Sequence, residues 1–173
     1  MRTVAVLLAT YNGGLRIKTQ LQSLLYQSYQ DFDVFVHDDC STDDTIPIIE
    51  DFVRTNISFN LTILKDTHKR GAKGSFMWLL QNVEAKYYMF CDQDDLWLPN
   101  KIEQSVNLIE QLEHENHEKP ICVHTDLAIA DGFYNIIAKS LWDKSKINPN
   151  ILEDKDYIQV FNCVTGCTMQ NSS

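Results

Sequence analysis

The feature that most limits what this chain can fold into is the spacing of its apolar residues. Short apolar runs without helical period alternate with longer segments in which apolar residues recur every three or four positions. Val4 to Ala9 is the first run and fits a strand buried on both faces. The polar Thr10-Tyr11-Asn12-Gly13-Gly14 breaks it, and from Leu15 the spacing of Ile17, Leu21, Leu24 and Leu25 predicts an amphipathic helix ending near Tyr26. Asp33 to His37 reads as a second strand, followed by the turn Asp38-Asp39-Cys40-Ser41-Thr42. Ser41 or Thr42 is expected to cap a helix carrying Ile46, Ile49 and Phe52, with Pro47 tolerable in its first turn.

The alternation continues. Leu61 to Leu64 is a third strand, the basic loop Lys65 to Gly71 follows, and Phe76, Leu79, Leu80 and Val83 mark a third helix. Tyr87 to Cys91 is a fourth strand running straight into Asp92-Gln93-Asp94-Asp95. Pro99 opens a fourth helix through Ile102, Val106, Ile109 and Leu112, and Ile121 to Thr125 is a fifth strand. Strands alternating with helices imply an α/β fold with a parallel or mostly parallel sheet flanked by helices. After Asp126 the pattern is irregular. Phe133 to Trp142 reads as a mobile or substrate-facing excursion, Asp154 to Phe161 as a short helix and Val164 to Met169 as a late strand. With no internal repeat or low-complexity linker, residues 1–173 are expected to form one domain.

Charge and composition remove several function classes. The 173 residues carry 15 basic and 24 acidic side chains, a net charge of −9, which argues against a nucleic-acid binder needing a basic face. Six Gly, four Pro and 44% hydrophobic residues exclude collagen-like and disordered chains. The five cysteines are odd in number and lack a Cys-x-x-Cys pair, so reduced, mostly buried thiols are expected instead of disulfides or a zinc ribbon. No apolar stretch approaches the roughly 20 residues of a membrane span, and the N-terminus lacks signal-peptide order. A cytoplasmic setting is the expectation.

The turns after the strands carry the chemistry. In an open α/β sheet, ligands bind beyond the carboxyl ends of the strands. There the first loop offers Thr10, Tyr11 and Asn12, the second Asp38 and Asp39, and the fourth Asp92, Asp94 and Asp95. Carboxylates crowded together repel unless something neutralises them, and hard oxygen donors select Mg²⁺ or Mn²⁺. Mg²⁺ is typically held by one or two carboxylates plus substrate phosphates, so a metal here would bring a diphosphate with it. Lys73 or Arg70, near the third loop, could add positive charge. The plainer readings are a turn and helix N-cap for Asp38 and Asp39, a packing role for Tyr11, and core or pocket-wall roles for Trp78 and Trp97.

Taken in order, Val4-Ala5-Val6-Leu7-Leu8-Ala9-Thr10-Tyr11-Asn12-Gly13, then Val36-His37-Asp38-Asp39-Cys40-Ser41-Thr42-Asp43-Asp44-Thr45, then Phe90-Cys91-Asp92-Gln93-Asp94-Asp95-Leu96-Trp97-Leu98-Pro99 resembles the N-terminal part of a family 2 glycosyltransferase of GT-A fold. Val164-Thr165-Gly166-Cys167-Thr168-Met169 resembles a segment of its rhamnosyltransferase-like branch. The resemblance implies a Rossmann-like central sheet and an inverting sugar transfer, rhamnose being the favoured sugar, from a UDP- or dTDP-sugar to a saccharide or lipid-linked saccharide in bacterial surface polysaccharide synthesis. It implies that Tyr11 packs against the base with Thr10 and Asn12 shaping its loop. Asp39 would accept the uracil or thymine imide N–H, Asp92 would lie near the ribose and assist the metal, and Asp94 would bind Mg²⁺ or Mn²⁺. Asp95 and Trp97 would shape the sugar and acceptor side. It also implies work at the inner face of the membrane.

Three departures stand out. Cys40 replaces a usual Gly, so the turn must avoid a left-handed conformation or tolerate strain. Gly74-Ser75, expected in the third loop, replaces an Arg-Asn pair. The family's general base lies in an acidic motif downstream of the Gly-Cys-Thr-Met segment, so the base is expected beyond Ser173, in a longer domain. Rival readings are a non-catalytic nucleotide-sugar-binding fragment and a sugar nucleotidyltransferase, the latter weakened because Tyr11-Asn12 interrupts the glycine-rich loop it would need.

Overall fold

All seven residues of β1 (Val4–Thr10) are buried, because helices cover both faces of the strand. The computed structural model describes residues 3–115, 121–148 and 170–172. Around β1, the elements α1 (Ile17–Leu25), β2 (Phe32–Asp38), α2 (Thr45–Thr55), β3 (Leu61–Leu64), α3 (Gly71–Asn82), β4 (Tyr87–Asp92) and α4 (Lys101–Glu115) follow in alternation. β5 (Cys122–Val123), the hairpin β6 (Ile129–Ala130) and β7 (Ile136–Ala138), α5 (Leu141–Ser145) and β8 (Gln170–Ser172) complete the described chain.

The main sheet has the order β3-β2-β1-β4-β8-β5. β3, β2, β1 and β4 are parallel, whereas β8 runs antiparallel to both β4 and β5. Val4, Val6 and Leu8 of β1 point to one face, where they meet Ile17, Leu21 and Leu24 of α1, Ile49 and Phe52 of α2, and Ile102, Val106 and Ile109 of α4. Ala5 and Leu7 point to the other, against Leu79 and Val83 at α3 and Phe90 of β4. The alternation of side chains along a strand divides the core into these two clusters. Each fully buried Leu or Ile contributes about 1.5–3 kcal/mol relative to exposure, which makes this layering the main source of rigidity beneath the loops.

Several expectations shift. Helix α1 begins at Ile17, leaving Leu15 outside and wholly exposed. Neither Ser41 nor Thr42 caps α2. The Ser41 hydroxyl instead donates to Asp38, the Thr42 N–H donates to Asn12 Oδ1 at 2.9 Å, and Asp43 receives the Thr45 N–H at 3.1 Å as the helix begins. Helix α3 starts earlier than its apolar spacing suggests, so Lys73, Gly74 and Ser75 lie in the helix and not in the preceding loop. Gly71 makes that start possible with φ +70. The fifth strand shortens to its two paired residues, Cys122 and Val123. Phe133 to Trp142, read as an excursion, carries β7 and the start of α5, with the Ser140 hydroxyl capping α5 by accepting the Asp143 N–H at 2.9 Å. The expected helix at Asp154 to Phe161 and strand at Val164 to Met169 lie outside the described residues.

Candidate functional site: the loops beyond the parallel strands

Register brings the sequence-selected residues to one edge. β1 and β2 pair Thr10 with Asp38, and β1 and β4 pair Ala9 with Asp92, so the three strands end level. Their loops therefore converge.

The β1–α1 loop is tied down mainly by polar contacts. Asn12 takes φ 47, a left-handed conformation that Asn tolerates better than most residues. Its backbone N–H donates to Ser41 Oγ at 2.8 Å, while the Gly13 N–H donates to Thr45 Oγ1 at 2.8 Å and the Gly14 N–H to Asp43 Oδ2 at 3.0 Å. The loop after β2 thus serves as a template for the loop after β1. Tyr11 stands on it, 41% exposed, and the Lys69 ammonium lies 3.9 Å from the ring centroid. Lys69 belongs to the loop after β3, and Lys73 is exposed in the first turn of α3.

Asp38 and Asp39 have separate tasks. Asp38 accepts the Ser41 N–H at 2.8 Å and the Ser41 hydroxyl, which is the plain turn role. Asp39 is only 4% exposed and binds the N-terminal end of α3. Its carboxylate accepts the Arg70 N–H and, at 3.0 Å, the Gly71 N–H. Each carboxylate oxygen has a second lone pair, so Asp39 retains capacity for a further donor. Cys40 beside it adopts φ 64, the strained alternative allowed for this turn. The β3–α3 loop that supplies those N–H groups is itself gathered by Asp66. The Arg70 guanidinium donates to Asp66, His68 Nδ1 lies 3.0 Å away and His37 Nε2 3.5 Å away. Arg70, and after it His68, hold the Asp66 carboxyl well below the usual carboxylate range.

The loop after β4 has the opposite character. Burial first, and then the charges of Asp95 and Asp94, push the Asp92 carboxyl up to about 6. This strain is what a cation would relieve. Among the described residues, no three carboxylate, imidazole or thiolate groups form a cage for a metal. The donors of this loop, Asp92, Asp94 and Asp95, are hard oxygen groups, the kind that suit Mg²⁺ or Mn²⁺ and not zinc. Next to it, Asp94, Asp95, Trp97, Lys101, Asp126 and Tyr134 help line a cleft of about 690 Å³ that reaches the β6–β7 hairpin. Among the described residues, Trp97 Nε1 and the Tyr134 hydroxyl are buried there without a hydrogen-bond partner. Trp97 is both core and wall, 4% exposed with Lys101 Nζ 4.9 Å from its ring. Trp78 lies elsewhere, tilted against His37 with ring centroids 4.9 Å apart.

Lys69, Asp66 and Gln93 were not legible as site residues. Lys69 stood in a recognisably basic loop, but nothing in its spacing aimed it at Tyr11. Gln93 sat between the two acids singled out.

A parallel sheet with one antiparallel strand between β4 and β5, an aromatic and a buried carboxylate at one end of the loop cluster and an acidic loop at the other, describes the GT-A fold. Solved glycosyltransferases share it. The S. aureus TarS 1–349 fragment in complex with UDP superposes with TM-score 0.63 at 26% identity, covering 75% of this chain and 37% of that one. The mannosyltransferase PcManGT from Pyrobaculum calidifontis, in complex with GDP-Man and Mn²⁺, gives TM-score 0.56 at 27% identity over 61% of this chain and 31% of that one. The family described as Glycosyl transferase family 2 matches residues 5–172, and the chain belongs to it. The dTDP-rhamnosyl transferase RfbG of Shigella flexneri is 37% identical over 106 residues, 59% of this chain and 36% of that protein. The chain thus spans little more than a third of the length of RfbG. Among the described residues, no helix is long and apolar enough to cross a membrane.

Proposed function

We propose that the chain binds the nucleotide diphosphate of a UDP- or dTDP-sugar and forms the donor-binding part of an inverting glycosyltransferase, with rhamnose the favoured sugar. The observation that carries this reading is the convergence of Tyr11, Asp39 and the Asp92–Asp95 loop at one edge of the sheet. A pyrimidine base stacks on Tyr11, with Lys69 moving aside or turning to the phosphates. Asp39 accepts the imide N–H, a pairing open to uracil and thymine and closed to cytosine, whose N3 is an acceptor. Asp92 lies toward the ribose. Asp94, with Asp92, holds Mg²⁺ or Mn²⁺, which when bound supplies charge neutralisation for the departing diphosphate.

Asp95 and Trp97 shape the sugar and acceptor side, where the unpartnered Trp97 Nε1 offers a donor to a sugar hydroxyl. The acceptor is a saccharide or lipid-linked saccharide of a bacterial surface polysaccharide, presented at the cytoplasmic face of the membrane. The dTDP-rhamnosyl name of RfbG and the UDP bound to TarS support a pyrimidine donor, and the GDP-Man bound to PcManGT supports a nucleoside-diphosphate sugar in general. A thermal-shift panel of UDP- and dTDP-sugars with and without Mn²⁺ tests the reading. Stabilisation needing both nucleotide and metal is expected; stabilisation by neither would remove it.

A further inference from the structure

The β1–β4 ladder pairs residues only as far as Ala9 opposite Asp92. Beyond it, the side chain of Gln93 takes over the role of a neighbouring strand. Its amide oxygen accepts the Thr10 hydroxyl at 2.7 Å and the Tyr11 backbone N–H at 2.8 Å, and its amide nitrogen donates to the Tyr11 carbonyl at 3.0 Å. The orientation of the amide follows from Tyr11, whose N–H can only donate and whose carbonyl can only accept. Both backbone polar groups of Tyr11 are therefore held by one side chain that starts between Asp92 and Asp94.

Gly13 is shaped to the same contact. A Cβ on Gly13 would fall 2.2 Å from the Gln93 amide oxygen, far inside contact distance. The glycine leaves room for the amide. On the other side, Asn12, Gly13 and Gly14 are fixed to the β2–α2 loop, so Gln93 is the link from this assembly to the acidic loop.

We propose that Gln93 is a positioning residue that sets the Tyr11 platform relative to the carboxylates of Asp92 and Asp94, so that the base and diphosphate subsites stand at a fixed separation before ligand arrives. The inference rests on the nucleotide reading above. It gives Gln93 no contact with ligand. Its removal should weaken only ligands that span both subsites, whereas a purely structural glutamine would affect folding and leave the ligand preference of the folded protein unchanged.

Calorimetric titration of the protein with UDP plus Mn²⁺, and separately with inorganic pyrophosphate plus Mn²⁺, reads the difference. In Gln93→Met, UDP should bind about 10-fold more weakly, the scale of cost for a misplaced binding group, while pyrophosphate stays within about 2-fold of wild type. Gly13→Ala, which drives the amide from its seat, should give the same UDP-selective loss and carries the test if Gln93→Met does not fold. The double variant should be no worse than the poorer single one, because both remove the same contact. Unchanged UDP affinity, or equal losses for UDP and pyrophosphate, would overturn the proposal. Wild-type protein that binds pyrophosphate but not UDP, or neither, would overturn the nucleotide reading and this inference with it.

Discussion

The two ends of the loop cluster differ in how completely their polar groups are satisfied. At the Tyr11 and Asp39 end, loops after three strands bond to one another through backbone N–H groups, and Asp39 is buried with two N–H partners. At the Asp94 and Trp97 end, burial and the charges of Asp95 and Asp94 raise the proton affinity of Asp92, and among the described residues Trp97 Nε1 and the Tyr134 hydroxyl are buried without a partner, as His37 Nδ1 is at the other end. Polar groups buried without partners cost free energy, and native proteins leave them mainly where something else will fill the gap. The contrast teaches that the Tyr11 end is built in advance, while the Asp94 end, on the proposed reading, is left for metal and ligand to complete.

Substitutions can break this contrast. The largest effect is expected from Asp39→Ala, which leaves the Arg70 and Gly71 N–H groups without their charged acceptor. A loss of about 2–4 kcal/mol in chemical denaturation should accompany loss of UDP binding. Asp94→Ala should do the reverse. Stability of the metal-free protein should hold or rise, while Mn²⁺-dependent UDP affinity falls roughly 100-fold, as for removal of a charged metal partner. A denaturation midpoint lowered as far as that of Asp39→Ala would erase the distinction between the ends.

Protonation gives a third test. The folded Asp92 carboxyl is pushed up to about 6, above the ordinary aspartate value of 3.8, so between those values the folded state holds the proton that the unfolded state has lost. The contribution of this group is present below the unfolded value and is lost as pH rises through about 6. Asp92→Asn should therefore stabilise the metal-free protein at pH 7 by up to about 2 kcal/mol and leave it unchanged near pH 3.5. Denaturation curves at the two pH values check this, and a gain at neither would show that the acids do not strain the loop. The smallest effect belongs to Cys40→Gly. It relieves a φ of 64 and should raise stability by about 1 kcal/mol with UDP affinity unchanged, a thermal-melt measurement.

The sheet and the acids were legible because both are written as local patterns. Val4 to Ala9 announces a doubly covered strand by being continuously apolar, and Asp39 and Asp92 are conspicuous because acids directly follow such runs. What escaped was chemistry carried by single long-range bonds. Ser41 and Thr42 have the composition of helix caps, yet Asp38 at the end of β2 claims the first and Asn12 of the neighbouring loop the second. Lys69 and Lys73 are alike in the sequence, and the start of α3 at Gly71 leaves Lys69 in the loop, where it reaches Tyr11, and puts Lys73 on the helix. Gln93 has no periodicity to reveal it. Its partner is 82 residues away and becomes visible only when β1 and β4 are side by side.

The central claim is that the metal end is incomplete without the diphosphate. Titration of Mn²⁺ monitored by the electron paramagnetic resonance of the free ion, with and without UDP, tests it directly. The account requires tight uptake of one Mn²⁺ per chain only when UDP is present, and only weak uptake in its absence. Tight Mn²⁺ binding without nucleotide, or UDP binding that survives removal of all metal at full strength, would contradict it.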